Sequence, residues 1–333
     1  MPVNLKKRVA ICRSSYKHLL RQRFGAPLPS IVIATTGRAE TLCRKTLTVL
    51  RNQRYPLRKV HLFVPHVRDP TNPTRMMRAV YREALRKHRM SAVHVHRGGR
   101  NMLQQCRTAV KYFRPGKYLL MMSDNIDSLK IKTSKHKHGC YDLPCRHFQA
   151  ITAHAYHIMR WTRTYTWSLA SCKSPLNMQA GMISRKFGLI DGNCYGWINR
   201  HGKDVLHKHH STTVDLEWSC LAWQKVGGFF RYQYISAIKK YRSGGGFRST
   251  MSVAKRRRLT SQAIKRLAKT FPHLVRYNAR KEVSNSMQPY TTLPVGPQPL
   301  RIVGDVQNRG RPRIHMTSRS STSTERMRVL RKQ

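Results

Sequence analysis

Residues 30–38 read Ser30-Ile31-Val32-Ile33-Ala34-Thr35-Thr36-Gly37-Arg38. A β-branched, apolar run that stops at a glycine is a buried strand leaving the core into a turn. Residues 118–127 repeat the theme: Tyr118-Leu119-Leu120-Met121-Met122 is wholly apolar, and Ser123-Asp124-Asn125-Ile126-Asp127 follows it. Between these two stretches, 59–64 and 92–96 read as further short strands. Residues 40–52, 73–88 and 101–113 carry apolar side chains at helical spacing. Strands alternating with helices predict βαβ units, hence an α/β fold with a mostly parallel twisted sheet flanked by helices.

Beyond Asp127 the pattern changes. Residues 130–139 read as a basic, histidine-containing loop, 148–161 as a helix and 162–170 as a strand. Residues 176–191 are apolar and end at Asp191-Gly192, 214–226 suit a helix, and 229–235 a strand. A glycine-rich loop spans 241–248, and a basic helix is expected over 255–271. From about residue 282 the chain is rich in Ser, Thr, Pro and Arg, the composition of a segment that buries too little apolar surface to order. The expected organisation is a basic arm (1–28), an α/β domain (29–250), a basic helical segment (251–281) and a basic disordered tail (282–333).

The 333 residues include 65 Lys and Arg against 13 Asp and Glu, a formal charge of +52. Self-repulsion of that size calls for a polyanion, and counterion release makes nucleic acid the expected partner. The run Lys255-Arg256-Arg257-Arg258 reads as a phosphate-contacting helix face or a nuclear localisation signal. No apolar run is long enough to span a bilayer and no apolar signal core follows the start. None of the eight cysteines forms CxxC and several sit inside apolar runs, which suits reduced, buried thiols. The expected setting is intracellular, in a nucleus or another DNA-containing compartment, viral ones included, without membrane attachment or secretion.

Because carboxylates are scarce, their positions are informative. Asp124, Asp127, Asp142, Asp191, Asp204, Asp215 and Glu217 fall in one window, where an even spread would put about four. In open α/β sheets ligands sit at the carboxyl ends of strands. Asp124 stands there, as a metal or ribose ligand or as a simple turn residue; oxygen donors suit a hard cation such as magnesium. Asp215 and Glu217 open the helix at 214–226, where they either complement the helix dipole or serve as a base towards an acceptor hydroxyl. Arg242, residues 244–246 and Arg248 form a loop able to grip a pyrophosphate. Neither GxGxxG nor GxxxxGK[ST] occurs. His136, His138, Cys140, Cys145 and His147 are of zinc-ligand type, but their spacing fits no standard signature, and the 207–210 histidine cluster is equally nonspecific.

In order and spacing these pieces resemble the GT-A (Rossmann-like) glycosyltransferases: the opening strand at 30–36, Gly99-Arg100-Asn101 before a helix, the metal-site strand at 118–126, Val214-Asp215-Leu216-Glu217, and the glycine loop with Arg248. Over roughly residues 29–250 they are most similar to the TET/JBP-associated glycosyltransferases. That group includes the base J glucosyltransferase, phage enzymes acting on hydroxymethylpyrimidines, and the growth-regulation-by-estrogen proteins. The resemblance implies transfer of a hexose from a nucleotide sugar, UDP-glucose or UDP-GlcNAc, with Mg2+ or Mn2+ as the accompanying ion. The favoured acceptor is a hydroxylated pyrimidine in DNA. Thr35, Arg38, Arg100, Asn101, Asp124, Asn125, Gly245 and Arg248 would then hold the donor. Asp124 would meet the metal, and Asp215 with Glu217 would serve catalysis.

One departure stands out, since Ser123-Asp124-Asn125 replaces the Asp-Asp-Asn or Asp-Asp-Asp common in that group. Fixed cations then stand in for the metal, or catalysis is lost and a basic nucleic-acid-binding scaffold remains. Transfer to protein hydroxyls is the third reading.

Overall fold

The computed structural model describes residues 26–69, 72–133, 139–170, 178–200, 213–225, 228–239 and 252–279, with short strands at 290–292, 314–315 and 328–329. In chain order, β1 (Ser30–Ala34) leads into α1 (Ala39–Leu42), a π-helical turn (Cys43–Leu47) and α2 (Thr48–Asn52). Then come β2 (Val60–Pro65), β3 (Arg68–Asp69), β4 (Asn72–Met76), α3 (Met77–Lys87), β5 (His94–Gly98), α4 (Met102–Tyr112) and β6 (Tyr118–Met122). The second half holds β7 (Ser128–Lys132), β8 (Cys140–Asp142), α5 (His147–Thr162), β9 (Thr166–Leu169), β10 (Ile183–Ser184), β11 (Cys194–Ile198) and α6 (Val214–Lys225). After these come β12 (Phe230–Tyr232), β13 (Ile235–Ile238), α7 (Val253–Thr270) and β14 (Val275–Tyr277).

Eight strands form the main sheet in the order β10-β12-β9-β11-β6-β1-β2-β5. β6, β1, β2 and β5 are parallel, β11 runs against both β6 and β9, and β12 follows β9. The expected mostly parallel α/β sheet is therefore present. From β1 the chain builds outward to β2 and β5, then returns to place β6 on the other side of β1. That reversal opens a crevice at the carboxyl ends of β1 and β6, where an open α/β sheet binds its ligands.

Period-two alternation explains the two cores. Ile31, Ile33, Leu62, Leu120 and Met122 pack with Leu42, Leu50, Tyr81, Leu85 and Phe148 on one face. Val32, Phe63, Leu119 and Met121 pack with Ala109, Val110, Leu216, Trp218, Ile264 and Leu267 on the other. α1, α2, α3 and α5 thus cover one face, and α4, α6 and α7 the other.

Several boundaries move. The helix expected from residue 73 begins at Met77, because Asn72–Met76 pairs with β3 as a hairpin. The strand expected at 92–96 lies at His94–Gly98, in register with His61–Pro65 of β2. The strand expected from residue 162 starts at Thr166. Thr162 stays helical, its Oγ1 donating to the Ile158 carbonyl at 2.7 Å, and Arg163 ends the helix at φ 52°.

The basic loop expected at 130–139 is in part strand β7, paired with β13 and β8 in a separate three-stranded sheet. Its Leu129 and Ile131 are buried, while Lys130 pairs with Asp142 at 2.9 Å. The strand expected over 229–235 breaks at a turn into β12 and β13, which join different sheets. The basic helix is found at Val253–Thr270. All six described cysteines are free; Cys43, Cys106, Cys194 and Cys220 are buried as expected, but Cys140 is half-buried and Cys145 exposed. Among the described residues no helix is long and apolar enough to cross a membrane.

β11 has no counterpart in the sequence reading, because Gly196 interrupts its pattern. The glycine is there for contact: a Cβ at this position would overlap the Trp167 indole Nε1 and ring. Trp167 cannot retreat, since Nε1 donates to the Tyr118 hydroxyl at 2.9 Å, and that hydroxyl donates to the Thr152 carbonyl at 2.9 Å. Gly196→Ala is expected to lower unfolding stability by about 2 kcal/mol, within the range for overpacking a filled core, measured as a lower urea midpoint at constant m-value.

Candidate functional site

Thr35, one residue past β1, and Asp124, two past β6, face each other across the crevice. The Thr35 hydroxyl donates to Asp124 Oδ2 at 2.8 Å, and Arg38 Nη1 donates to Asp124 Oδ1 at 3.1 Å. Since the single Thr35 proton goes to Asp124, the Tyr81 hydroxyl, 2.7 Å away, must be the donor to Thr35. Tyr81 in turn accepts from the Arg38 backbone N–H at 3.0 Å. α3 thus reaches across to lock the β1 turn onto the β6 turn. Both members of the ion pair are nearly closed to solvent, at 12% and 8% side-chain exposure. Tyr81, which the sequence reading took only as part of a helix, is the centre of this network.

The Ser123–Asp127 loop is held from the other side by the π-helical turn. Thr46 Oγ1 donates to the Ser123 carbonyl at 2.8 Å and accepts from Ile126 N–H at 2.9 Å. Lys45 pairs with Asp127 at 2.9 Å. The wider turn aims successive residues Lys45 and Thr46 at one loop, a use of π-bulges that recurs near functional sites. Within the loop, the Ser123 hydroxyl donates to Asn125 Oδ1 at 2.8 Å, so Ser123 orients the amide.

Asp215 approaches the same loop from the antiparallel side. Ser123 N–H donates to the Asn193 carbonyl at 2.9 Å, continuing the β6–β11 ladder into the 191–193 turn. Gly192 in that turn lies against the Asp215 carboxylate, so closely that a Cβ on Gly192 would overlap its oxygens. Asp124 and Asp215 therefore stand on one end of the sheet, joined through Ser123, Asn193 and Gly192. Asp215 is open to solvent, yet protein crowds it as densely as an interior group. That burial pushes its carboxyl up to about 6, against the pull of Lys239.

Asp191, beside it, is 3% exposed; Oδ1 accepts from Asn193 N–H at 3.2 Å, and Oδ2 has no hydrogen-bond partner. Burial drives the Asp191 carboxyl well upward, and the Asp215 charge adds to the rise. The sequence reading noticed Asp191 as one of the clustered acids and as the end of an apolar stretch, without a role of its own. The Asp191-Gly192 pair was the available signal.

The other expected residues divide. Glu217 is 2% exposed and turned inside, while Asp215 two residues earlier faces solvent, so the two carboxylates do not share one cleft. Asn101 caps α4, accepting from Gln104 N–H at 2.9 Å, and Gln104 Oε1 accepts from Arg100 N–H at 2.8 Å. That exchange satisfies helix-terminal amides and leaves both Arg100 and Asn101 side chains exposed. The α4 start is tied to the crevice by Gln105, which donates to Thr36 Oγ1 at 3.2 Å. Gly245, Arg248 and the rest of the 241–248 loop lie outside the described residues, as do His136, His138 and the 207–210 cluster. Lys255, Arg257 and Arg258 are exposed on the first turns of α7 and Arg256 is half-buried, away from the carboxylates in sequence and on a separate helix.

A divalent cation fits this arrangement poorly. Both Asp124 oxygens are engaged, by a guanidinium and a hydroxyl, and Asn125 Oδ1 accepts from Ser123. Among the described residues no three His, Cys, Asp or Glu side chains converge as a metal would require. The fixed positive charge at the crevice is Arg38.

No family model matches the chain, and no curated protein sequence matches it. Among solved structures it is similar to the mannosyltransferase PcManGT from Pyrobaculum calidifontis in complex with GDP-Man and Mn2+, with TM-score 0.41 and 13% identity over 80% of this chain and 72% of that one. It is also similar to GalNAc-T7 with UDP, GalNAc and Mn2+, with TM-score 0.41 and 11% identity over 65% of this chain and 45% of that one. Likeness at this level assigns neither a substrate nor residue roles to this chain.

The raised Asp215 pKa has a consequence for stability. Its folded value of about 6 lies above the ordinary 3.8, so its contribution is fully present below about pH 4 and lost as pH rises through 6. Asp215→Asn removes that loss. The melting temperature of the variant should therefore rise relative to the parent from about pH 4 to pH 7, followed by thermal unfolding at each pH; a constant difference would contradict the shift.

Proposed function

We propose that this chain transfers a hexose from a nucleotide sugar to the hydroxyl of a hydroxylated pyrimidine in DNA, with Asp215 as the base. The observation that carries the reading is the Asp215 carboxylate. It is solvent-facing and raised to about 6, at the same strand ends as the Arg38–Asp124–Thr35 network. A general base is most effective with a pKa near the working pH, and desolvation is how a carboxylate gets there. The ordered resemblance to the GT-A transferases supports a nucleotide-sugar donor. The net charge of +52 supports a nucleic-acid acceptor.

In the proposed step the acceptor oxygen bonds to the anomeric carbon and its proton passes to Asp215. The bond from that carbon to the diphosphate oxygen breaks, and the nucleoside diphosphate leaves with the electron pair. Arg38 is the fixed cation at the crevice, placed to offset charge on the diphosphate without a metal. Its own ion pair with Asp124 keeps the guanidinium in place before substrate arrives, which is the preorganisation that such stabilisation requires.

A second reading has one observation in its favour. The carboxylate expected to meet a metal is already neutralised by Arg38, as it would be in a basic nucleic-acid-binding protein that keeps the scaffold and has lost the chemistry. One assay separates the two. The protein is incubated with UDP-glucose or UDP-GlcNAc and hydroxymethylated DNA, with and without EDTA, and the DNA nucleosides are weighed by mass spectrometry. A hexose increment is expected that survives EDTA, rises with pH through about 6, and falls at least about a hundredfold in Asp215→Asn, the scale of a lost general base. No increment with any donor, together with no donor binding, leaves the scaffold reading.

A further inference from the structure

The free edge of the main sheet carries an array of rings unrelated to the carboxylates. On one face of β2 and β5, His61 stacks on His94 with ring centroids 4.7 Å apart and on His96 at 5.2 Å, and Phe63 stacks on His96 at 5.0 Å. The end of α4 completes it: Tyr112 lies 4.4 Å from His96, and Phe113 meets His61 edge-on at 4.9 Å. The register places these side chains together, since His61 is opposite His94 and Phe63 opposite His96. Phe63 and Phe113 are the buried base of the array, while His94 is exposed and Tyr112 is 55% exposed. An exposed tyrosine at the rim of five further rings is an unusual use of surface, since large aromatic residues normally bury most of their area.

Charge defines what such a surface accepts. Neither residues 41–68 nor residues 84–123, the two stretches that build the array, contain a single Asp or Glu. Lys59 and Lys117 lie near enough to His61 to act on its charge, and Arg58 acts on Lys59 in the same way. Arg97, Lys111 and Arg114 are exposed on the same elements and their ends. The His61 imidazole is not part of this positive charge. Burial, reinforced by the neighbouring histidines and lysines, pushes His61 down to about 3, and burial lowers His96 as well. The surface thus combines π faces with a rim of cations, on two stretches of chain that hold no carboxylate.

We propose that the Tyr112–His94–His96 edge is a docking platform for single-stranded nucleic acid, with unpaired bases stacking on the rings and the backbone following the cationic rim. Stacked bases present the complementary π faces and phosphates the complementary charge, the combination by which sequence-tolerant single-strand binders work. A duplex hides its base faces and would use only the rim. α4 links the platform to the crevice, its capped start at the crevice and its end at Tyr112, about 16 Å apart for an 11-residue helix. The platform stands on the ring geometry alone and does not depend on sugar transfer.

The test is binding of a short fluorescent oligothymidine to the full chain, without nucleotide sugar, followed by anisotropy at several salt concentrations. Tyr112→Ala and His94→Ala should each weaken binding about tenfold, in the range for loss of one stacked base. The salt slope of Tyr112→Ala should be that of the parent, because no charge is removed. Lys111→Ala with Arg114→Ala should instead lower the slope by about 1.4, at roughly 0.7 per single-strand phosphate contact. Tyr112→Phe should bind like the parent. A 5-iodouracil oligonucleotide should cross-link to Tyr112 under ultraviolet light.

Parental affinity in the Tyr112→Ala, His94→Ala double variant at every salt concentration, with an unchanged melting temperature and cross-links only elsewhere, overturns the platform. An equal loss for the matching duplex overturns the single-strand assignment. Loss of transfer in the hydroxymethyl-DNA assay with stacking intact counts against the enzyme reading alone.

Discussion

The Asp124 carboxylate, gripped by Arg38 and Thr35, is the interaction on which the rest of the candidate site depends. It joins the turn after β1 to the turn after β6, the two strands between which the sheet reverses its order. A carboxylate and a guanidinium so far from water repay their desolvation only if every remaining proton and lone pair is met. Here Tyr81 and Thr35 supply the missing bonds, and the π-helical turn holds the following loop through Thr46 and Lys45. Removal of one partner would leave a buried charge uncompensated, a loss typically of about 3–5 kcal/mol. The turn after β1 is thereby tied to the turn after β6, with a guanidinium and a carboxylate paired at the crevice.

Against this fixed wall stands a carboxylate held at some expense of stability. Asp215 lies against Gly192, and burial disfavours its ionised form in the fold. Arrangements of this kind persist where a proton must be taken up near neutral pH. Asp191 carries a free oxygen and a strongly raised pKa. Its own rise comes from burial, with the Asp215 charge adding to it, so it is a buried neighbour of the base rather than a second base with access to substrate.

The parallel half of the fold could be read from residues 30–122, because β1, β2 and β6 are buried almost throughout and announce themselves as apolar runs. The antiparallel half could not. β11 is broken by Gly196, whose purpose is visible only with Trp167 in contact, and β7 hides its two buried apolar residues among lysines and a serine. Of the site, Thr35, Arg38, Asp124 and Asp215 were legible from their places at strand and helix ends. Tyr81, Thr46 and Lys239 were not, because each acts through a contact from a distant element. Glu217 shows the limit of spacing: two residues along a helix turn one carboxylate to solvent and its neighbour inward.

The most direct measurement is the carboxyl titration of Asp215, followed by carbon NMR on aspartate-labelled protein with and without a nucleotide sugar. An inflection near 6 is expected in the free protein, displaced when the nucleotide sugar binds, with the displacement lost in Asp124→Asn. An inflection near the ordinary 3.8 that the nucleotide sugar leaves unmoved would contradict a shared crevice, and with it the role of Asp215 as a base.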